Sequence, residues 1–151
     1  AAVVCTEEVA NAFANGMEYF NTFGGNPVSS AIGTEVIRVV KEEGLRENAA
    51  KVGGYLNEKL NELSNKYPIL QDVRGKGLFL GFELVDENKN PLPEKAAYLA
   101  NRMRQRGVLM STDGKDHNAI KIKPPMVFTL ENANEVLAGI ELVLNGDVMC
   151  K

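Results

Sequence analysis

A threonine in a glycine-containing segment is the first residue whose type and position could do chemistry. Thr22 lies in the string NTFGGNP at residues 21–27, directly before a run that predicts a helix beginning at Pro27. The amino end of a helix presents N–H groups and the positive end of its dipole, so a nearby hydroxyl adds a donor where an anion is already favoured. The alternative is that residues 21–27 form only a turn and a helix cap, with Asn26 as the N-cap.

Two lysines near the end of the chain form a second candidate site. Lys121 and Lys123 are two residues apart in Ala119 to Lys123, a segment whose alternation predicts a strand. Because successive strand side chains point to opposite faces, both lysines project from one face and could hold a small anion. The alternative is that both are solvated lysines on an exposed sheet face.

Other polar residues are not assigned to a site. Arg74, in the string VRGKG, is expected to hold a hairpin together by hydrogen bonds to carbonyls, and His117 is expected to be exposed and inert. Residues 111–113 are interpreted as a hydrogen-bonded turn that ends a strand. Cys5 and Cys150 lie near opposite ends without CxxC spacing, which disfavours both structural zinc and a disulfide scaffold.

The elements that position these residues alternate between helices and strands. The periodicities predict an α+β fold: a small, mainly antiparallel sheet with helices packed on one face. Residues 1–26 are assigned to a remnant of a larger domain and residues 27–151 to a small C-terminal domain. The expected elements are a strand at 1–4 with a short helix ended by Gly16, a helix from Pro27 towards Gly44, a helix carrying Val52, Leu56 and Leu60, strands at 69–73 and 78–85, a helix ended by Gly107, strands at 108–110 and 119–123, and a helix capped by Thr129.

Composition limits the classes of partner. The 151 residues carry 17 basic and 20 acidic side chains, a formal net charge of −3, with the two signs interspersed. This distribution disfavours nucleic acid or an anionic membrane as a partner. The apolar runs stop well short of the roughly 18 residues of a membrane span, and the chain shows no signal-peptide pattern, so a cytoplasmic setting is expected. Since the chain begins Ala1-Ala2, we expect it to be a fragment.

Five strings, in order and at compatible spacing, resemble the class-III aminotransferases. They cover essentially the whole chain and read AAVVCT, NTFGGNP, VRGKGLFLGFEL, the segment 107–110, and KIKPPMVFT. The string STDG at residues 111–114, followed by KIKPPM, is most similar to the branch of alanine–glyoxylate-like aminotransferases and ethanolamine-phosphate phospho-lyases.

This resemblance implies a fold-type-I enzyme that uses pyridoxal 5′-phosphate and works as a homodimer. It implies a small amino acid or amine as amino donor and an oxo acid as acceptor. In this family the Schiff-base lysine lies upstream of the strand that AAVV matches, so it falls before residue 1. The fragment alone is therefore expected to be inactive.

The resemblance also gives roles to particular residues. Thr22 matches the position whose hydroxyl reaches the cofactor phosphate of the other subunit, and Asn21 could assist it. Lys121 matches the arginine that binds the substrate α-carboxylate in many members. Here the chain departs from the family, because a lysine cannot form the planar two-bond fork of a guanidinium. Either Lys121 binds a phosphate or carboxylate, or substrate recognition lies elsewhere.

Three functions therefore remain open from the sequence. The first is a part of an aminotransferase. The second is a part of a phospho-lyase acting on a substrate of the ethanolamine phosphate type, which would suit a lysine at position 121. The third is a non-catalytic dimerisation or interaction module that folds by itself.

Overall fold

A computed structural model describes residues 3–22, 24–146 and 149. The chain divides into two compact units, Ala1–Glu43 and Gly44–Lys151. The predicted assignment of residues 1–26 to a larger domain stays a prediction.

The first unit contains two helices joined by the segment that carries Thr22. Helix α1 spans Glu7–Phe13 and helix α2 spans Pro27–Glu42. The side-chain oxygen of Asn26 accepts a hydrogen bond from the Ser29 N–H at 2.9 Å, so Asn26 is the N-cap that the sequence predicts. The apolar residues Val28, Ile32 and Val36 on α2 are exposed.

The strand predicted at the start of this unit is wrong for the residues that can be checked. Val3 and Val4 belong to no strand, and Ala1 and Ala2 lie outside the described residues. A β-branched run favours extended backbone, but a strand also needs a neighbour to complete its hydrogen bonds. No strand is found among the described residues of this unit.

The second unit is built on a four-stranded antiparallel sheet in the order β1-β2-β4-β3. Helix α3 spans Leu45–Lys66 and leads into the predicted hairpin, strand β1 at Leu70–Lys76 and strand β2 at Phe79–Leu84. Helix α4 spans Pro93–Arg104, and strand β3 (Ser111–Asp113), strand β4 (Ala119–Ile122) and helix α5 (Leu130–Leu144) follow.

One face of this sheet carries the core. Alternate residues of β2 and β4 point to it and are buried, namely Leu80, Phe82, Leu84, Ile120 and Ile122. They form one cluster with the apolar stripes of α3, α4 and α5. The predicted α+β fold, with helices on one face of an antiparallel sheet, is therefore confirmed. The opposite face carries Lys121, Glu83 and Arg74 together with the exposed Phe79.

The strand predicted at residues 108–110 is wrong, and the actual strand β3 begins at Ser111. Ser111 pairs with Lys121 in antiparallel register, so residues 108–110 would have to pair with residues 122–124. Pro124 has no N–H to donate, and the ladder ends before it. Residues 111–113, which the sequence analysis interpreted as a turn, form the strand instead.

Helix α5 begins as the sequence predicts. The Thr129 hydroxyl accepts a hydrogen bond from the Asn132 N–H at 3.2 Å, and the Thr129 N–H donates to the Asn132 side chain at 3.1 Å. This reciprocal pair is a capping box.

None of the helices in the described part of the chain is long and apolar enough to cross a membrane. The expected cytoplasmic setting stays a prediction.

Candidate anion-binding site

Lys121 lies in the middle of the open face of the sheet. Its strand neighbours are Gly81 on β2 and Ser111 on β3. Since Ile120 and Ile122 on either side point into the core, the Lys121 side chain points the other way and remains 30% exposed. Gly81 has no side chain, so the space next to the lysine stem remains open towards β1.

Asp113 is the immediate partner of this lysine. The Lys121 ammonium donates a hydrogen bond to Oδ2 of Asp113 and forms an ion pair with it. Oδ1 of the same carboxylate accepts a hydrogen bond from the Gly114 N–H at 2.8 Å. The Lys121 ammonium and, next, the Gly114 N–H hold the pKa of the Asp113 carboxyl below its usual value. The carboxylate is therefore ionised at neutral pH.

A cleft of about 440 Å³ opens on this face of the sheet. Lys121, Asp113 and Arg74 supply its charged groups, and Gly81 forms part of its floor. A Cβ atom at Gly81 would lie 3.0 Å from the Ile120 carbonyl oxygen, so a side chain here would crowd the neighbouring strand as well as fill the cleft. The cleft combines cationic donors with an apolar floor, an arrangement suited to a small anionic ligand.

Arg74, on β1, lies across the cleft from Lys121. Its partner on β2 in the strand register is Gly81. Arg74 bonds to the backbone carbonyl of Asp72 at 3.3 Å, but Asp72 lies on the same strand, so this bond does not join the two strands of the hairpin as predicted. It also forms ion pairs with the carboxylates of Asp72 and Glu83, the latter at 2.7 Å. Its charge is therefore shared with two acidic groups, but the guanidinium still borders the cleft.

Lys123 lies beyond the end of β4 and lines a different cleft, of about 570 Å³, between the end of the sheet and the start of α5. Lys121 borders this cleft too. Lys123 is exposed. Both lysines line this cleft, but Lys121 alone of the two borders the cleft over Gly81. Because Lys123 lies outside β4, their projection from one strand face stays a prediction.

Thr22 and Asn21 lie in the first unit, on the segment before α2, and both are exposed. Among the described residues the Thr22 hydroxyl makes no hydrogen bond, so it can donate to a ligand. Asn21 holds the segment, because its side-chain oxygen accepts from the Gly24 N–H at 3.1 Å and its amide donates to the Tyr19 hydroxyl at 3.1 Å. Thr22 precedes the 16-residue helix α2 by five residues in the sequence, and an exposed hydroxyl together with a helix amino end is a donor set that fits a phosphate group.

Asp113 is the residue of this site that sequence reasoning missed. A usable signal existed, because residues 111–113 and 119–121 flank a five-residue loop that could close a hairpin. In such a hairpin Asp113 and Lys121 share a face. This signal is weak, because three polar residues without apolar alternation do not by themselves predict a strand.

Comparison with known proteins agrees with this fold. The profile of the class-III aminotransferase family matches residues 1–144. The chain is 52% identical over 142 residues to an alanine–glyoxylate aminotransferase 2-like protein of Drosophila melanogaster, covering 91% of the chain and 29% of that protein. It is 37% identical over 146 residues to an ethanolamine-phosphate phospho-lyase homolog of Caenorhabditis elegans, covering 95% of the chain and 31% of that protein.

A solved structure shows the same fold. A phospholyase from Arthrobacter, solved in complex with phosphoethanolamine, superposes with a TM-score of 0.81 at 39% identity, over 92% of this chain and 33% of that one. The chain thus spans about a third or less of the length of these relatives. The profile match over nearly the whole sequence decides the family. The chain belongs to the class-III aminotransferases.

Proposed function

We propose that this chain forms the C-terminal part of a pyridoxal-phosphate-dependent aminotransferase that moves an amino group from a small amino acid or amine to an oxo acid. The observation that carries the proposal is the cleft over Gly81, in which Lys121 presents a half-buried cation. Lys121 stands where the family motif has its carboxylate-binding residue. In this position it binds the anionic group of the amino donor and orients the donor's amino group.

Pyridoxal phosphate is the cofactor of class-III aminotransferases, and when bound it supplies the electron sink for breaking bonds at the carbon next to the amine. This chain supplies a contact to the cofactor phosphate. Thr22 donates its hydroxyl to a phosphate oxygen, and the positive end of the α2 dipole lowers the energy of the anion nearby. Asn21 supports Thr22 by fixing the backbone of the segment.

The lysine that attaches the cofactor lies outside these 151 residues in our proposal, so the chain by itself does not catalyse the reaction. The working form is a homodimer in which Thr22 of one subunit serves the cofactor of the other. The exposed apolar side chains of Val28, Ile32 and Val36 support this, since exposed apolar stripes often mark protein interfaces.

A phospho-lyase reaction is the second candidate, and the lysine at position 121 favours it. A guanidinium matches a planar carboxylate with two parallel hydrogen bonds, whereas an ammonium is a compact charge that suits a tetrahedral phosphate equally well. The Arthrobacter relative was solved with phosphoethanolamine. In this version Lys121 binds the phosphate that leaves the substrate.

The role of Thr22 can be tested by removing its hydroxyl in the full-length protein that contains this chain. We expect Thr22→Ala to raise the dissociation constant of pyridoxal phosphate about two- to tenfold, the effect of losing one hydrogen bond. Cofactor titration by absorbance measures it. Thr22→Ser keeps the hydroxyl and serves as the matched control. Equal cofactor affinity in the alanine and serine variants would exclude Thr22 from the phosphate site.

Half-reaction spectroscopy on the same full-length protein distinguishes the two reactions. We expect L-alanine to convert the cofactor absorbance to that of the amine form if the protein is an aminotransferase. Release of inorganic phosphate and acetaldehyde from ethanolamine phosphate would instead assign it to the phospho-lyases. If the protein takes up no cofactor at all, both enzymatic proposals fail.

A further inference from the structure

The Asp113 carboxylate is already paired with the Lys121 ammonium, which is the group that the anion of the proposed substrate would bind. Its Oδ2 is bound to the Lys121 ammonium, and its Oδ1 is fixed by the Gly114 N–H. The hydrogen bond at Oδ1 restrains the carboxylate independently of Lys121. An anion that enters the cleft must therefore compete with the Asp113 carboxylate for the Lys121 ammonium.

The other charged groups nearby do not relieve this competition. Arg74, opposite Gly81, is shared between Asp72 and Glu83. Lys123 lines the neighbouring cleft and contributes a weaker, longer-range attraction to Asp113. Next to Lys121 the positive and negative charges nearly cancel. The binding free energy of an incoming anion is therefore only the difference between its own interaction with Nζ and the interaction of Asp113 with Nζ.

We propose that Asp113 is a positioning residue that acts through Lys121, an inference that rests on the proposed role of this lysine. It holds Nζ at the β3 side of the cleft and competes with the ligand anion for it. Anion affinity is then set by how easily Nζ leaves Asp113. A substrate or product anion binds more weakly than it would to an unpaired lysine and dissociates faster, so Asp113 affects KM and leaves the bond-breaking step alone.

The test is Asp113→Asn in the full-length protein loaded with cofactor, so that the cofactor phosphate fills its own site. The asparagine oxygen can still accept the Gly114 N–H, which preserves the turn. We expect the dissociation constant of inorganic phosphate to fall about two- to fivefold at low ionic strength, the effect of removing one exposed competing charge. Chemical shifts of the Gly114 and Lys121 amides during the titration measure it. KM for the amino donor is expected to fall similarly while kcat changes less.

Two matched variants control for charge and for structure. Asp116→Asn makes the same change in net charge three residues further along, at an exposed loop residue that borders neither cleft, and is expected to leave phosphate affinity unchanged. Asp113→Glu keeps the carboxylate and is expected to keep affinity close to that of the unmodified protein. If Asp113→Asn and Asp116→Asn have equal effects, or if Asp113→Asn weakens phosphate binding, the proposal is overturned.

A Lys121→Gln background separates this inference from the proposed function. We expect Lys121→Gln to weaken phosphate binding, and Asp113→Asn added to it to have less effect than in the unmodified protein, because the two residues act as a pair. If Lys121→Gln binds phosphate normally, the proposed role of Lys121 itself fails. If Lys121→Gln weakens binding while Asp113→Asn does nothing, only the role of Asp113 fails.

Discussion

Replacing Gly53 by alanine is expected to destabilise the protein by about 3 kcal/mol, the upper part of the range for overpacking a core. Gly53 is buried in the middle of α3, where the β1–β2 hairpin turn lies directly on the helix. A Cβ atom at this position would lie 2.0 Å from the carbonyl oxygen of Gly77 and 2.2 Å from its carbonyl carbon. These are backbone atoms, so no side-chain rotation relieves the clash, and the hairpin has to move off the helix.

The adjacent glycine provides a matched control. Gly54 is exposed on the same helix, and a Cβ atom there meets nothing within 4 Å. Because glycine in a helix interior costs conformational entropy, Gly54→Ala is expected to stabilise the protein by about 0.5 to 1 kcal/mol. The same chemical change at neighbouring positions thus has opposite signs.

Urea unfolding of both variants measures this difference. With a typical denaturant dependence, the midpoint of Gly53→Ala is expected about 1 M or more below that of the unmodified chain, and the midpoint of Gly54→Ala slightly above it. Similar midpoints for the two variants would show that α3 and the hairpin turn do not pack as closely as the structure describes.

The long elements of this fold could be predicted from the sequence because their signals are local. The Asn26-Pro27 start of α2, the apolar stripe of α3 and the Thr129 cap of α5 each depend on side chains within a few residues of one another. The hairpin at β1 and β2 follows from a glycine-containing turn and from the period-two alternation of the second strand. These patterns can be recognised without knowing which elements pack against the helix or strand that carries them.

The features that were missed depend on contacts between distant residues. The strand β3 has a polar sequence and exists because β4 pairs with it, and the extended start predicted at Val3 and Val4 has no described partner strand in its unit. The approach of Gly53 to Gly77 joins residues 24 positions apart, and neither glycine differs locally from others in the chain. The same holds for the site, where the resemblance identified Lys121 but only the sheet register places Asp113 beside it.

Removing the charge of Lys121 is the second large effect that we expect, and it tests the proposed anion site directly. In the full-length protein, Lys121→Gln is expected to lower kcat/KM for an anionic amino donor by about 10- to 100-fold, the effect of losing a charge-assisted hydrogen bond. The loss is increased because the Asp113 carboxylate is left without its partner and repels the incoming anion. Steady-state kinetics with saturating cofactor measure it, and Lys123→Gln is the control because Lys123 does not line the cleft over Gly81.

An arginine at the same position separates the two candidate substrates. Lys121→Arg keeps the charge but presents a planar fork, which matches a carboxylate better than an ammonium does. In this variant we expect KM for an amino donor with an α-carboxylate to fall or stay the same. We expect the ratio of KM for ethanolamine phosphate to KM for that donor to rise. The ratio of the two KM values is the informative quantity, since a general disturbance of the cleft would raise both. If Lys121→Gln loses no more activity than Lys123→Gln, the substrate anion binds elsewhere and the cleft over Gly81 is not the substrate site.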